Sequence, residues 1–397
     1  MNPKNQVQSG GGPSGALPFI YGHVNPTLFP IEQMQAAAQE ALERYGHLAL
    51  NYGPERGCNL LLDYLRAKIS HDEGLELGPA NLMLTNGASG GLDTACRLYT
   101  QPGDTVLVEA PSYHEALDII RDYPVRLVAV PLDEQGLDIE VLAECLEKLT
   151  AQGHQPRLLY TIPTFQNPSG VTLSAARRTA LLELARRYAF MIIEDDVYRD
   201  LSFEGRPPVS LYALDAADGG HTVIHLGSFS KILAPGLRLG WAVSAPRHVT
   251  RLAESGLGHA GGGANPLVAF VTAVFCQRGW LEPHITRLIE AYRHRRDVML
   301  AALEKTMPAQ VRWTRPQGGF FVWLTLPEPL KAQQVLEQAH QHNITFLTGE
   351  PFFAQGDGTH HIRLPFSFIP PDEMAGGTHN LAHIIRDLLK NAQEPKQ

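Results

Sequence analysis

The chain of 397 residues is 44% hydrophobic and 19% charged, the balance of a soluble globular protein with a large core, and at about 150 residues per domain it has room for two or three domains. A net charge of −8 without a basic run argues against a nucleic-acid-binding protein, and no stretch reaches the roughly 18 apolar residues of a membrane span. Cys58, Cys96, Cys145 and Cys276 lie far apart with no C-x-x-C spacing, which excludes a disulfide framework or zinc site and points to a reducing, cytoplasmic compartment.

Residues 1–16, rich in Gly, Ser, Asn and Gln, read as a flexible tail without the apolar core of a signal peptide. A helix is predicted near 31–45, and the segment 17–50 is expected to pack with a smaller domain. Short apolar runs then recur at 81–85, 104–110, 125–130, 157–163, 190–196, 221–227 and 237–244. Helical patterns separate several of them, as at 137–149 and at 174–189, where Ser174 is a plausible N-cap. Runs apolar on consecutive positions are buried on both faces, which predicts an α/β fold with a mostly parallel sheet sandwiched by helices over 51–285. A long helix over about 283–306 leads into a smaller α+β domain, 286–397. Its strands are GGFFVWLTLP and HHIRLPFSF, and its helices lie around 331–342 and 371–390.

Ligands of such a sheet bind at the carboxyl ends of its strands, and chemically suggestive residues recur there. TNGASGGLD (85–93) opens a helix with small residues whose N–H groups could cradle a phosphate, or forms a plain tight turn. Tyr113 could stack on a flat ligand or only pack. Asn167, in FQNPSG, offers an amide at a turn whose Asn-Pro bond could be cis. Glu194, Asp195 and Asp196 close a buried run, so they need a metal, an arginine, a helix N-terminus or a protonated ring nitrogen. Lys231, in GSFSK, is either a surface lysine or an amine made nucleophilic by partial burial. Ser228, Ser230 and Arg238 together could hold a phosphate. Arg363 sits in an apolar strand and wants a carboxylate, internal or the substrate's.

Each signal is moderate, but their order in one chain is specific: YGPERG (52–57), TNGASGG (85–91), PSY (111–113), NPSG (167–170), DDVY (195–198), SFSK (228–231), RLGW (238–241) and IRLPFS (362–367). From about residue 17 onward the chain resembles the pyridoxal-5′-phosphate aminotransferases of fold type I, class I/II. Within them it is most similar to the branch of 2-aminoadipate aminotransferases and the aminotransferase-like domains of MocR regulators. With no helix-turn-helix ahead of that region, an enzyme rather than a regulator is expected.

The resemblance implies that Lys231 bonds to the cofactor as an imine and shuttles the substrate's Cα proton. It implies that Asp195 pairs with the pyridine nitrogen, that Tyr198 and Asn167 hydrogen-bond the ring oxygen, and that Tyr113 stacks on the ring. Ser228, Ser230, Arg238 and the N–H groups of Ala88 and Ser89 would hold the phosphate. Tyr52 would reach the phosphate of a neighbouring subunit, so a homodimer with shared sites is implied. Arg363 and Asn167 would bind the substrate's α-carboxylate, and Gly22 would allow close approach to it.

The chain departs from the branch at Ala88, Ser89 and Gly90, where Ser and Gln are usual, and at His23 and Val24, which replace an aliphatic-proline pair. His23 could select an acidic or polar side chain or serve structure alone. The expected activity is transfer of an amino group from an L-α-amino acid to a 2-oxo acid, 2-oxoglutarate foremost. A lyase or decarboxylase on the same scaffold, or a non-catalytic ligand sensor, is the alternative. A metalloenzyme built on Glu194, Asp195 and Asp196 ranks low, because no histidine pair stands at ligand spacing beside a matching carboxylate on one element.

Overall fold

The computed structural model describes residues 16–261 and 263–393, so the tail expected over 1–16 lies almost wholly outside the described residues. In chain order the elements begin with β1 (Leu17–Phe19), α1 (Ile31–Ala49), α2 (Asn59–Glu73), β2 (Leu82–Thr85), α3 (Gly87–Tyr99), β3 (Thr105–Ala110) and α4 (His114–Arg121). They continue with β4 (Arg126–Asp133), β5 (Gly136–Leu137), α5 (Ile139–Ala151), β6 (Pro156–Thr161), α6 (Ala175–Tyr188), β7 (Met191–Asp195), α7 (Leu211–Ala217), β8 (Val223–Ser228) and β9 (Gly240–Val243). After α8 (Pro246–Ala253), α9 (Gly256–His259), α10 (Pro266–Gln277) and α11 (Leu281–Thr306) come β10 (Arg312–Trp313), β11 (Phe321–Thr325), α12 (Ala332–Gln341), β12 (Ile344–Thr348), β13 (His361–Pro365) and α13 (Pro371–Gln393).

The apolar runs form one sheet of order β2-β9-β8-β7-β6-β3-β4-β5. Its central strands β4, β3, β6, β7 and β8 are parallel, whereas β9 runs antiparallel between β8 and β2. Strands β2, β8 and β9 are buried along their whole length, as expected of a sheet with helices on both faces. Ser174 caps α6 as the sequence predicts, its hydroxyl accepting from the Arg177 amide at 3.4 Å.

A second sheet, β1-β12-β13-β11-β10, gathers the C-terminal strands, with β1 added in parallel to β12. Of the N-terminal segment, β1 thus joins this sheet, while α1 lies elsewhere. That helix packs chiefly against α10, joined by the Arg278–Glu40 ion pair at 2.6 Å. The apolar stripe of α1 is short and alanine-rich, with Ala37 and Ala41 fully buried, so a close helix–helix contact suits it better than the edge of a sheet. No helix among the described residues is long and apolar enough to cross a membrane.

Candidate active site

Strand order in the large sheet reverses between β3 and β6, and the crevice outside the carboxyl ends at such a point is where open α/β sheets bind ligands. A cavity of about 610 Å³ opens there. It is lined by thirteen of the fourteen residues singled out in the sequence: Gly22, His23, Ala88, Ser89, Tyr113, Asn167, Asp195, Tyr198, Ser228, Ser230, Lys231, Arg238 and Arg363. Tyr52 is the exception. It is 85% exposed and lies against Gly261, beside a separate cavity.

Lys231 follows β8 and donates to the carbonyl of Gly22 at 3.3 Å, with the rings of Tyr198 and Phe320 within 6 Å of its Nζ. Burial pulls its pKa down to about 8, so a substantial fraction of the amine is neutral near neutral pH. Gly22 must be glycine here, because a Cβ would stand 2.6 Å from the Phe321 ring. Asp195 ends β7, fully enclosed, and burial raises its pKa to about 6 against the pull of the Tyr160 hydroxyl and Lys231. One carboxylate oxygen, Oδ2, accepts from Tyr160 at 2.7 Å. The other, Oδ1, is buried with no partner.

The N-terminus of α3 forms an anion cradle with the loop after β8. Asn86 makes no side-chain cap on that helix, which leaves the first N–H groups for another acceptor. Ser228 and Ser230 are buried and 2.9 Å apart at their hydroxyls. The guanidinium of Arg238 lies over Gly87, 3.2 Å from where a Cβ would be. Gly240 lets β8 and α3 close onto β9, since a Cβ there would stand 2.6 Å from the Gly227 carbonyl oxygen and 3.0 Å from the Ala88 nitrogen.

Across the cavity Arg363, on β13, is 4% exposed and lies between the rings of Phe321 and Phe352, 4.4 and 4.9 Å from their centroids. Its Nη1 donates to Asn167 Oδ1 at 3.1 Å and its Nη2 to the Ile20 carbonyl at 2.9 Å, while Nε is buried and unpartnered. Burial lowers its pKa to about 10. The Asn167–Pro168 peptide is cis. His23 stands at the cavity mouth, stacked on Tyr21 with centroids 5.4 Å apart. Burial of its inner side, with the charges of Lys231 and Arg363, holds its pKa below the ordinary value. Tyr21 also lines the cavity, whereas Phe165 is buried beneath Gly318 and neither it nor Phe353 reaches the lining.

The acidic trio splits by strand alternation: Asp195 faces the cavity and its neighbours face away. Glu194 and Asp196 meet His225 on that other side. There Glu194 accepts from His225 at 3.1 Å and from the amides of Leu211 and Tyr212, and Arg178 and Arg199 supply positive charge.

Three further residues escaped the sequence reading. Glu109 closes β3, fully buried, and accepts from Thr161 at 2.5 Å and from Gln166 at 3.0 Å. Gln166 also donates to the Pro111 carbonyl at 2.7 Å, so one amide ties the Tyr113 segment to the Asn167 loop. Tyr160, the third, lies inside an apolar run, where a hydroxyl leaves no periodic trace. Glu109 did leave one, as an acid at a strand exit like Asp195.

These residues fit pyridoxal phosphate. The unpartnered Asp195 oxygen suits a ring N–H, the α3 cradle with Arg238 suits a phosphate, and the low-pKa amine of Lys231 suits a carbonyl.

The family "Aminotransferase class I and II" matches residues 24–375. The chain is 38% identical to the aromatic-amino-acid aminotransferase 1 of Thermococcus litoralis, over 95% of this chain and 89% of that one. It is 36% identical to the 2-aminoadipate transaminase of Thermus thermophilus, over 94% and 91%. Among solved structures it superposes on the kynurenine aminotransferase of Pyrococcus horikoshii with a TM-score of 0.90, at 37% identity, covering 95% of this chain and 92% of that one.

Proposed function

The chain belongs to the class I and II aminotransferases, and on that premise we propose that it moves the amino group of an L-amino acid with an aromatic or otherwise uncharged side chain onto 2-oxoglutarate. It is a pyridoxal-phosphate-dependent aminotransferase of fold type I. When bound, the cofactor supplies the carbonyl that receives the amino group and a ring that accepts the electron pair released at the substrate's Cα.

The residues divide the remaining work. The Lys231 amine would take the substrate's Cα proton and hold it for return to the product. Asp195 would pair with the ring nitrogen, Tyr198 and Asn167 with the ring oxygen, and Tyr113 with the ring face. Ser228, Ser230, Arg238 and the amides of Ala88 and Ser89 would hold the phosphate. Arg363 and Asn167 receive the α-carboxylate beside Gly22, which fixes the Cα–H bond relative to Lys231.

The charge inventory of the cavity carries the donor class. Among the described residues its lysine and arginine side chains are Lys231, Arg238 and Arg363, each with a task above. No guanidinium or ammonium of this chain is left to pair with a second carboxylate, so a dicarboxylic substrate depends on the titratable His23, while aromatic rings of Tyr21, Tyr113 and Phe321 line the walls. A donor panel followed by cofactor absorption tests this: phenylalanine or tyrosine should react with higher kcat/KM than 2-aminoadipate, and the reverse order overturns it.

The distal carboxylate of 2-oxoglutarate is received by His23, which gains a proton as the anion arrives. The KM for 2-oxoglutarate is therefore expected to rise as pH climbs through neutrality, by up to about tenfold per unit, while that for an aromatic donor stays flat. His23→Leu should flatten the 2-oxoglutarate profile, and an unchanged profile would remove His23 from this role.

The working unit is a homodimer. Ile31, Leu42, Leu48, Leu50, Tyr52 and Leu257 are large apolar residues left exposed on the single chain, an unusual set without a covering partner. Sedimentation should give twice the chain mass, and Tyr52→Ala should weaken cofactor binding without changing the fold; a fully active monomer would exclude shared sites. Four free cysteines support a cytoplasmic location.

A further inference from the structure

Among the described residues, a single side chain hydrogen-bonds the Asp195 carboxylate. The Tyr160 hydroxyl donates to its Oδ2 at 2.7 Å from the neighbouring strand β6, and Tyr160 is fully buried. The register of β6 and β7 places Tyr160 opposite Ile193, so the phenol reaches two residues along β7 to the strand end. Asp195 Oδ1, by contrast, is buried with no partner and lines the cavity. Charges around the pair come from every side: Asp196 and His225 behind it, Lys231 in front, Glu109 and Tyr113 beside the phenol. Burial holds the phenol's pKa far above its usual value, so it remains a donor across the working pH range.

We propose that Tyr160 is a positioning residue of this site: its hydroxyl occupies Oδ2, turns Oδ1 toward the cofactor's ring nitrogen, and keeps the proton shared between them on the ring. The inference rests on the reading of Asp195 as the partner of that nitrogen. A buried carboxylate drifts toward its protonated form, because desolvation penalises the charge. Asp195 already stands near 6 with the phenol in place. Without that donor it becomes the stronger base of the pair and withdraws the proton from the ring. The ring then loses its positive charge, and with it the capacity to draw electrons from the substrate's Cα. No bond is made or broken at Tyr160; it acts only through the oxygen it occupies.

The test uses the holoenzyme loaded with pyridoxal phosphate carrying a ¹⁵N label in the ring, compared as wild type, Tyr160→Phe, Asp195→Asn and the double variant. The wild-type resonance is expected in the protonated pyridine range and that of Tyr160→Phe displaced toward the neutral range. The same change should lower kcat by about tenfold to a hundredfold, the scale of a hydrogen bond to a charged group, with KM within about twofold. In the Asn background, Tyr160→Phe should add almost nothing. If Asp195→Asn moves the resonance and Tyr160→Phe does not, the proposal is overturned while the role of Asp195 stands. If neither moves it, the reading of Asp195 falls and this inference falls with it. A Tyr160→Phe protein that fails to fold while Asp195→Asn folds assigns the hydroxyl to structure and also overturns the proposal.

Discussion

Lys231→Ala is expected to reduce turnover by at least about 10⁴-fold and to abolish the imine absorption band of the cofactor-loaded protein. Both effects follow from one atom. Nζ of Lys231 is the amine placed among Tyr198, Phe320 and the Gly22 carbonyl, and its pKa near 8 comes first from burial, which disfavours the ammonium form. Because that pKa is lowered from the ordinary lysine value, the neutral and reactive fraction grows as pH rises toward about 8, and imine formation should accelerate over that range. Arg238 and Arg363, the arginines of the cavity, cannot replace it, since a guanidinium stays protonated and carries no nucleophilic lone pair. The phosphate contacts proposed for Ser228, Ser230 and Arg238 do not involve the lysine, so the cofactor should still bind, though reversibly. Stopped-flow half-reactions with a good donor and a dialysis assay for retained cofactor separate the two effects. An alanine variant that keeps the band and transfers at a tenth of the native rate would move the imine elsewhere.

Much of this site was legible because its residues stand at strand exits, and strand exits are marked by where apolar runs stop. Asp195, Lys231, Asn167 and Tyr113 each follow such a run, and their runs are β7, β8, β6 and β3 of one sheet. Strand direction was less legible. The run 237–244 is apolar at consecutive positions like its neighbours, yet β9 is antiparallel, and only the length of the connection hints at it. The docking of α1 depended on its partner's surface: Ala37 and Ala41 suit any close contact, and α10 provides it. Tyr160 was invisible for a different reason. Its hydroxyl matters through a cross-strand hydrogen bond set by the β6–β7 register, and no pattern within β6 encodes that register.

Arg363→Leu should lower kcat/KM by about 10³-fold, the factor that about 4 kcal/mol represents, while leaving the cofactor's absorption and the thermal stability close to native. The combination is diagnostic. An arginine that serves structure pairs with a carboxylate, and removing it strands that carboxylate at a cost to folding. Arg363 instead hydrogen-bonds the uncharged Asn167 amide and Ile20 carbonyl, with Nε buried and unpartnered. Its burial between Phe321 and Phe352 lowers its pKa to about 10, so the cation is held at a folding cost that the charge of Glu115 offsets only in part, with no carboxylate in hydrogen-bond contact among the described residues. Leucine relieves that cost and loses two hydrogen bonds, and the two changes roughly cancel. What disappears is the attraction for a carboxylate, in the ground state and the transition state alike, so the loss should fall mainly on KM for the donor and the 2-oxo acid together. A large fall in melting temperature with unaltered KM would instead make Arg363 a packing residue, and the α-carboxylate would then need another cation in the same cavity.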